Sequence, residues 1–156
     1  MTDEEYFEEA AKEARKSTCK RAHCGSIVIL NEEVIGRGYN SPPLNDENNR
    51  TCDYEYLEEQ RKPKADRSCC MHAEWRAILD ALKNMRDLKG AALYFVRVDE
   101  KGNAKRSNRP YCTVCSRLAL DVGIKKFYLW RDEGPKGYDT EEYNQLSYDF
   151  HNPEKV

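Results

Sequence analysis

His72 and Glu74 flank a single alanine, and Cys112 and Cys115 flank Thr113 and Val114. Cysteines three apart project from one side of a first helical turn, so both thiolates can reach one ion. Two thiolates and a neutral imidazole form a nitrogen–sulfur set that suits tetrahedral zinc, and three protein ligands leave the fourth position to water, as a catalytic centre requires. Zinc lowers the pKa of such a water toward about 7. Glu74 is not needed as a ligand. Two positions from His72, its carboxylate can take the water proton and pass it to a ring nitrogen, then to a departing amine. Other readings stay open at this point. Cys69 or Cys70 can close the shell into a structural Cys3His site. Glu74 can be a first-turn acid favoured by the helix dipole. The two cysteines can be a redox pair, which leaves His72 and Glu74 unexplained.

Such a cluster needs two helices that start at the same edge of a sheet. Residues 72–88 carry Ala73, Ala77, Ile78, Ala81, Leu82 and Met85 at helical spacing, with Gly90 as the stop. Residues 91–98 form an apolar run that reads as a buried strand. A turn at Gly102-Asn103 and a basic link over 105–109 follow, and Pro110 and Tyr111 then lead into a helix that ends at Gly123. Each helix returns across the sheet, so their N-termini can meet at one edge. There the positive helix ends favour thiolates and a metal-bound hydroxide.

The flanking segments complete the pattern. Tyr6, Phe7, Ala10, Ala11 and Ala14 predict a first helix within residues 3–16. Residues 26–30 and 33–38, joined at Asn31-Glu32, predict an antiparallel hairpin. Residues 125–130 read as a strand, residues 134–137 as a Gly/Pro break, and Asp139 as the cap of a last helix through about residue 149. The order α-ββ-α-β-α-β-α contains two β-α-β steps, which imply parallel pairing beside the hairpin. The expected fold is a three-layer α/β/α arrangement around a mixed sheet of four or five strands. It would form one domain over 1–156, with a long polar insertion at 41–69 and a C-terminal helix and tail at 138–156. In that tail Tyr138, Tyr143, Leu146, Tyr148 and Phe150 can make an interface helix or pack on their own sheet.

The 156 residues hold 26 Lys+Arg against 28 Asp+Glu, a net charge of −2, which argues against long DNA or RNA as a partner because phosphate neutralisation needs clustered base. One or two cationic side chains still suffice for a small phosphorylated ligand. The acidic start lacks the apolar core of a signal peptide, and no apolar run approaches the roughly 20 residues of a membrane span, so a cytoplasmic protein is expected. In that setting seven cysteines read first as metal ligands or buried thiols.

His72-Ala73-Glu74 with Pro110-Tyr111-Cys112-Thr113-Val114-Cys115 resembles the H-x-E and P-C-x-x-C signature of the cytidine-deaminase superfamily. The resemblance implies zinc on His72, Cys112 and Cys115 with Glu74 as proton shuttle. It reaches further, toward the deoxycytidylate deaminase branch. Ser17-Thr18-Cys19-Lys20-Arg21 before Gly25, Gly38-Tyr39-Asn40 before a proline pair, and Cys52-Asp53-Tyr54 within the insertion are similar to segments of that branch. It implies that Asn40 bonds a sugar, that Ala73, Pro110 and Tyr111 line the base pocket, and that the protein assembles as a dimer or hexamer. Arg21 can reach a 5′-phosphate or stay solvated. Trp75 reads as packing against the insertion, with a pocket role as the alternative. Some members carry a second zinc that fixes the insertion, for which Cys19, Cys52, Cys69 and Cys70 are the candidates here, with His23 and Cys24 in reserve.

Three departures bear on this. Tyr111 separates Pro110 from the first zinc cysteine, residues 101–109 lengthen the approach, and His23-Cys24 replaces a more apolar pair. The leading expectation is hydrolytic deamination of a cytosine nucleotide, dCMP to dUMP, by attack of zinc-bound hydroxide at C4. Deamination of guanine, adenine or a base within RNA at the same centre, and a non-catalytic zinc-stabilised binding module, are the alternatives.

Overall fold

The computed structural model describes residues 1–51, 69–107, 109–110 and 112–151. Cys52, Tyr111 and most of the insertion lie outside these. In chain order the described elements are α1 (Asp3–Ala14), β1 (His23–Leu30), β2 (Glu33–Tyr39), two short 3-10 turns (Pro43–Asn45 and Glu47–Asn49), α2 (Ala73–Lys83), β3 (Ala92–Val98), β4 (Ala104–Lys105), α3 (Thr113–Asp121), β5 (Lys126–Arg131), β6 (Gly134–Asp139) and α4 (Thr140–His151).

The six strands form one sheet of order β2-β1-β3-β5-β6, with β4 paired to the end of β3. The β1–β2 and β1–β3 pairs are antiparallel, and β3–β5 is parallel. Of the two β-α-β steps, only the second therefore makes a parallel pair. The first passes from β2 over β1 to reach β3, so β2, β3 and β5 share a direction although β1 separates two of them. Their carboxyl ends lie along one edge, where an open α/β sheet places its crevice.

Helix α1 is started by a capping box. Glu5 N–H donates to Thr2 Oγ1 at 3.2 Å, and Thr2 N–H donates to Glu5 Oε2 at 2.7 Å. The helix buries Phe7, Ala10, Ala11 and Ala14 against Ile27, Ile29, Tyr94 and Val96 on one sheet face. The alternate residues Val28, Leu93, Phe95, Phe127 and Leu129 face α2, α3 and α4 on the other. This is the expected three-layer arrangement. The β1–β2 hairpin turns on Asn31 and Glu32, both at positive φ (52° and 64°), the pairing of left-handed residues that a two-residue turn needs.

Two expectations change. Helix α2 ends at Lys83, more than a turn before residue 88. Met85 takes φ 61°, Met85 N–H donates to Leu82 O and Arg86 N–H to Ala81 O, both at 3.0 Å, which together make a Schellman stop. Met85 is thereby turned out to solvent at 92% exposure and Leu82 is half exposed, so neither belongs to the core. Residues 134–137 do not break the chain but form β6, antiparallel to β5. At a sheet edge Pro135 need not donate to the ladder, and Gly137 leaves room for the Tyr128 ring, which a Cβ there would meet at 2.6 Å. With β4 this raises the strand count among the described residues to six. Asp139, expected as a cap, pairs with Lys126 at 2.9 Å across the β5–β6 pair.

In α4, Tyr143 is buried and stacks on Phe127, ring centroids 4.1 Å apart, and Tyr138 is buried beside it. Leu146, Tyr148 and Phe150 are partly exposed. The C-terminal aromatics thus divide between the protein's own sheet and its surface. No helix among the described residues is long and apolar enough to cross a membrane.

Candidate metal centre and active site

His72 ends the approach to α2 in extended backbone (φ −69°, ψ 147°), and Cys112 does the same for α3 (φ −138°, ψ 113°). Both helices begin at the edge where β2, β3 and β5 end, which is why residues distant in sequence meet. His72 Nδ1 lies 3.1 Å from Cys115 Sγ and 3.5 Å from Cys112 Sγ. The three donor atoms all lie within 4.8 Å of one another, the one such group of three or more donors among the described residues. Metal bonds of about 2.3 Å to sulfur and about 2.05 Å to nitrogen at tetrahedral angles give a nitrogen–sulfur edge of about 3.6 Å. The donor set therefore fits one zinc by chemistry and by spacing.

The electrostatics agree with a site built for a cation. Cys115 N–H donates to Cys112 Sγ at 3.3 Å. The hydrogen bond from the Cys115 thiol, with the neighbouring His72 ring, draws Cys112 down to about 4, while burial pushes Cys115 well up. One thiolate is thus ready, and the second proton leaves when metal binds. Glu74 sits in the first turn of α2 at 3% exposure, and burial raises its carboxyl above the ordinary range despite the lowering influence of His72.

The other expected residues divide. Ala73 is fully buried, its helix start pressed on β2. Pro110 is half-buried at the approach to α3, and Tyr111 lies outside the described residues. Arg21 is exposed, with no side-chain hydrogen bond among the described residues, and its backbone N–H points to Cys19 Sγ. Cys19 meets Cys70. A hydrogen bond from the Cys70 thiol, with the Ala22 and Arg21 amides, draws Cys19 down to about 5. Arg50 spans this corner, donating to Thr18 O at 2.8 Å and to Cys70 Sγ at 3.8 Å. Cys69 is half-buried and Cys52 lies outside the described residues, so the second-zinc candidates contribute a pair rather than a shell. Neither Cys69 nor Cys70 joins the His72 group. The insertion's ends are tied by a bridge in which Met71 N–H donates to Ser41 O at 2.8 Å.

Asn40 is buried, and its described bonds hold the chain. Oδ1 accepts from Cys24 N–H at 2.9 Å and lies 2.5 Å from the Ser17 hydroxyl, and Nδ2 donates to Ala22 O at 2.7 Å. One amide hydrogen is left for another partner. Asn40→Ala is therefore expected to lower unfolding stability in urea by about 2–4 kcal/mol, from three buried bonds lost together. Unchanged stability with a raised KM would instead leave Asn40 purely a ligand contact.

Three residues of this neighbourhood escape sequence reasoning or are underweighted by it. Ser17 fixes Asn40. Trp75 stacks on the His72 ring, centroids 4.1 Å apart and planes 12° apart. Arg97 bonds the side chain of Cys24, a thiol that burial pushes up to about 12 and that also feels Glu74. An arginine in phase with Leu93 and Phe95 inside an apolar strand is the signal that finds it.

The family model for the cytidine and deoxycytidylate deaminase zinc-binding region matches residues 1–130. A deoxycytidylate deaminase of Mycobacterium phage D29 is 29% identical over 136 residues, spanning 80% of this chain and 90% of the phage protein. The crystal structure of a dCMP deaminase from cyanophage S-TIM5, in complex with dCMP and dUMP, superposes with a TM-score of 0.59 at 25% identity, over 81% of each chain. A cytidine deaminase from Burkholderia pseudomallei, at 16% identity, shares the fold with a TM-score of 0.60 over 92% of this chain and 96% of its own. The match across residues 1–130 makes this chain a member of the cytidine and deoxycytidylate deaminase zinc-binding family.

Proposed function

We propose that this protein deaminates dCMP to dUMP with one zinc ion held by His72, Cys112 and Cys115. The observation that carries the reading is the meeting of these three donors with the buried Glu74 at one sheet edge. The phage relative's name and the nucleotides bound by the cyanophage enzyme support dCMP as the substrate. Bound here, zinc supplies the Lewis acidity that makes water a nucleophile near neutral pH. Glu74 would take one proton of the attacking water and give it to N3 of the cytosine ring. It would then take the second from the hydroxyl newly bonded to C4 and give it to the departing amine. A C4–oxygen bond replaces the C4–nitrogen bond and ammonia departs. Burial of Glu74 excludes bulk water from this transfer, and its raised pKa brings it closer to the operating pH.

Ala73, Pro110 and Tyr111 are proposed to line the base pocket, the remaining Asn40 amide hydrogen to meet the sugar, and the exposed Arg21 guanidinium to meet the 5′-phosphate. A dimer or hexamer is part of the same proposal, as is a single domain.

The test is ammonia release from zinc-loaded protein offered dCMP, deoxycytidine, cytosine, guanine and adenosine. Turnover is expected on dCMP, with Arg21→Ala raising KM for dCMP about tenfold or more and leaving deoxycytidine unaffected. Turnover on another base alone would move specificity to Pro110 and Tyr111 and overturn the dCMP assignment. One zinc per chain without turnover on any of the five would favour the binding-module reading, and two zincs per chain would bring the Cys19 and Cys70 pair into a second site.

A further inference from the structure

We infer that Trp75 is a positioning residue for the metal centre, its indole face holding the His72 imidazole in the plane that points Nδ1 at the two thiols and strengthening metal binding at that ring. The inference rests on the proposed zinc ligation by His72, Cys112 and Cys115.

His72 precedes the first residue of α2, in extended backbone, and its side chain makes no capping hydrogen bond to the helix. The rotamer limits that a helix interior places on an aromatic side chain do not act there. The plane in which Nδ1 stands 3.1 and 3.5 Å from the two sulfurs is therefore set by the contacts of the ring itself. Trp75 lies one turn further along α2, where residues three apart are neighbours. Its ring lies flat on the imidazole, with centroids 4.1 Å apart and a 12° tilt. A ring pinned across its face cannot tilt Nδ1 out of the plane that holds it near the two sulfurs without losing that contact.

The chemistry of the pair adds a second effect. An imidazole that donates its lone pair to a divalent cation becomes electron-poor, and an electron-poor ring is drawn to the negative face of an indole as a cation is. The stack is therefore stronger in the metal-bound state than in the free one, which raises metal affinity as well as ordering the ligand. The indole Nε1 is buried and has no hydrogen-bond partner among the described residues. The orientation of Trp75 is thus set by its face and its packing, not by its N–H. A buried donor without a partner is destabilising, so a residue that only filled space would do better without one. The structure uses the aromatic face.

Three variants separate stacking from filling. Trp75→Phe keeps an aromatic face and removes the orphan donor, Trp75→Leu keeps apolar bulk without a face, and Trp75→Ala removes both. Zinc affinity is measured by competition with a chromophoric chelator, and the ligand geometry by the visible absorption of cobalt(II)-loaded protein. Loss of an outer partner of a metal-bound histidine costs about 10- to 100-fold in metal affinity. Trp75→Leu and Trp75→Ala are expected to lose that much and to shift the cobalt bands, with Trp75→Phe within about threefold of the parent chain. Equal affinity in all four proteins, or retention by Trp75→Leu as good as by Trp75→Phe, overturns the inference. If Trp75→Ala does not fold, the Phe and Leu pair decides alone. Failure of the parent chain to bind zinc, or binding that survives His72→Ala, would instead remove the proposed ligand set, a result separable from any behaviour of the Trp75 variants.

Discussion

Glu74→Gln protein will bind one zinc and keep its fold, yet release ammonia from dCMP about 10²- to 10⁴-fold more slowly than the parent chain. The substitution preserves volume in a site where the side chain is 3% exposed, so no cavity opens. Among the described residues Glu74 makes no ion pair, and its carboxyl is raised by burial first, with Cys112 raising it further. An amide in its place relieves a desolvated acid and leaves no charge stranded. What the amide cannot do is accept a proton from water and release it to a ring nitrogen. The three metal donors stay where they are, since they are placed by the starts of α2 and α3, and an amide can still meet the Cys115 side chain that the Glu74 carboxyl bonds. Zinc content, thermal unfolding and turnover measured on one preparation check this. Loss of zinc along with activity would make Glu74 a structural member of the centre; full activity would remove it from the proton path.

The donor set is legible in the sequence because its logic is local. A histidine and an acid at one helix start and two cysteines three apart at another are readable wherever the helices lie, and the β-α-β order then brings the starts to one edge. The roles that depend on packing are not readable in that way. Asn40 is visible as a polar residue at a strand end, but only the fold reveals that Ser17, Ala22 and Cys24 use most of its amide. Trp75 beside Glu74 gives no hint of the His72 ring, because stacking depends on two side-chain torsions that spacing does not fix. The apolar stripe of α2 runs on through Leu82 and Met85, while the backbone takes a left-handed stop at Met85 without the glycine that would announce it. Residues 134–137 mislead in the opposite sense. Gly and Pro are rare in strands generally, but an edge position with an aromatic neighbour tolerates both.

Gly38→Ala is expected to be among the most damaging single-methyl changes in the chain, costing at least about 3 kcal/mol and weakening zinc binding as well. At the closest approach of helix α2 to β2 small residues meet. Ala73, Ala77 and Ala81 are fully buried along one side of the helix, and Gly36 and Gly38 lie beneath them. A Cβ on Gly38 would overlap Ala73 O and Ala77 N and stand 2.6 Å from Arg76 Cβ. Two of these are helix backbone, which cannot step aside as the end of a flexible side chain can. The helix must lift at its first turn, and that turn carries Glu74 and follows His72. Stability and metal affinity should therefore fall together, measured by urea unfolding of the metal-free protein and by chelator competition. Gly90→Ala provides the contrast. Gly90 has φ +83° and nothing within 4 Å of the place an alanine methyl would take, so the substitution there meets conformational strain alone, about 1–2 kcal/mol, with zinc affinity unchanged. If Gly38→Ala resembled Gly90→Ala in both measurements, the close seat of α2 on β2 would not be what holds His72 and Glu74 over the sheet edge.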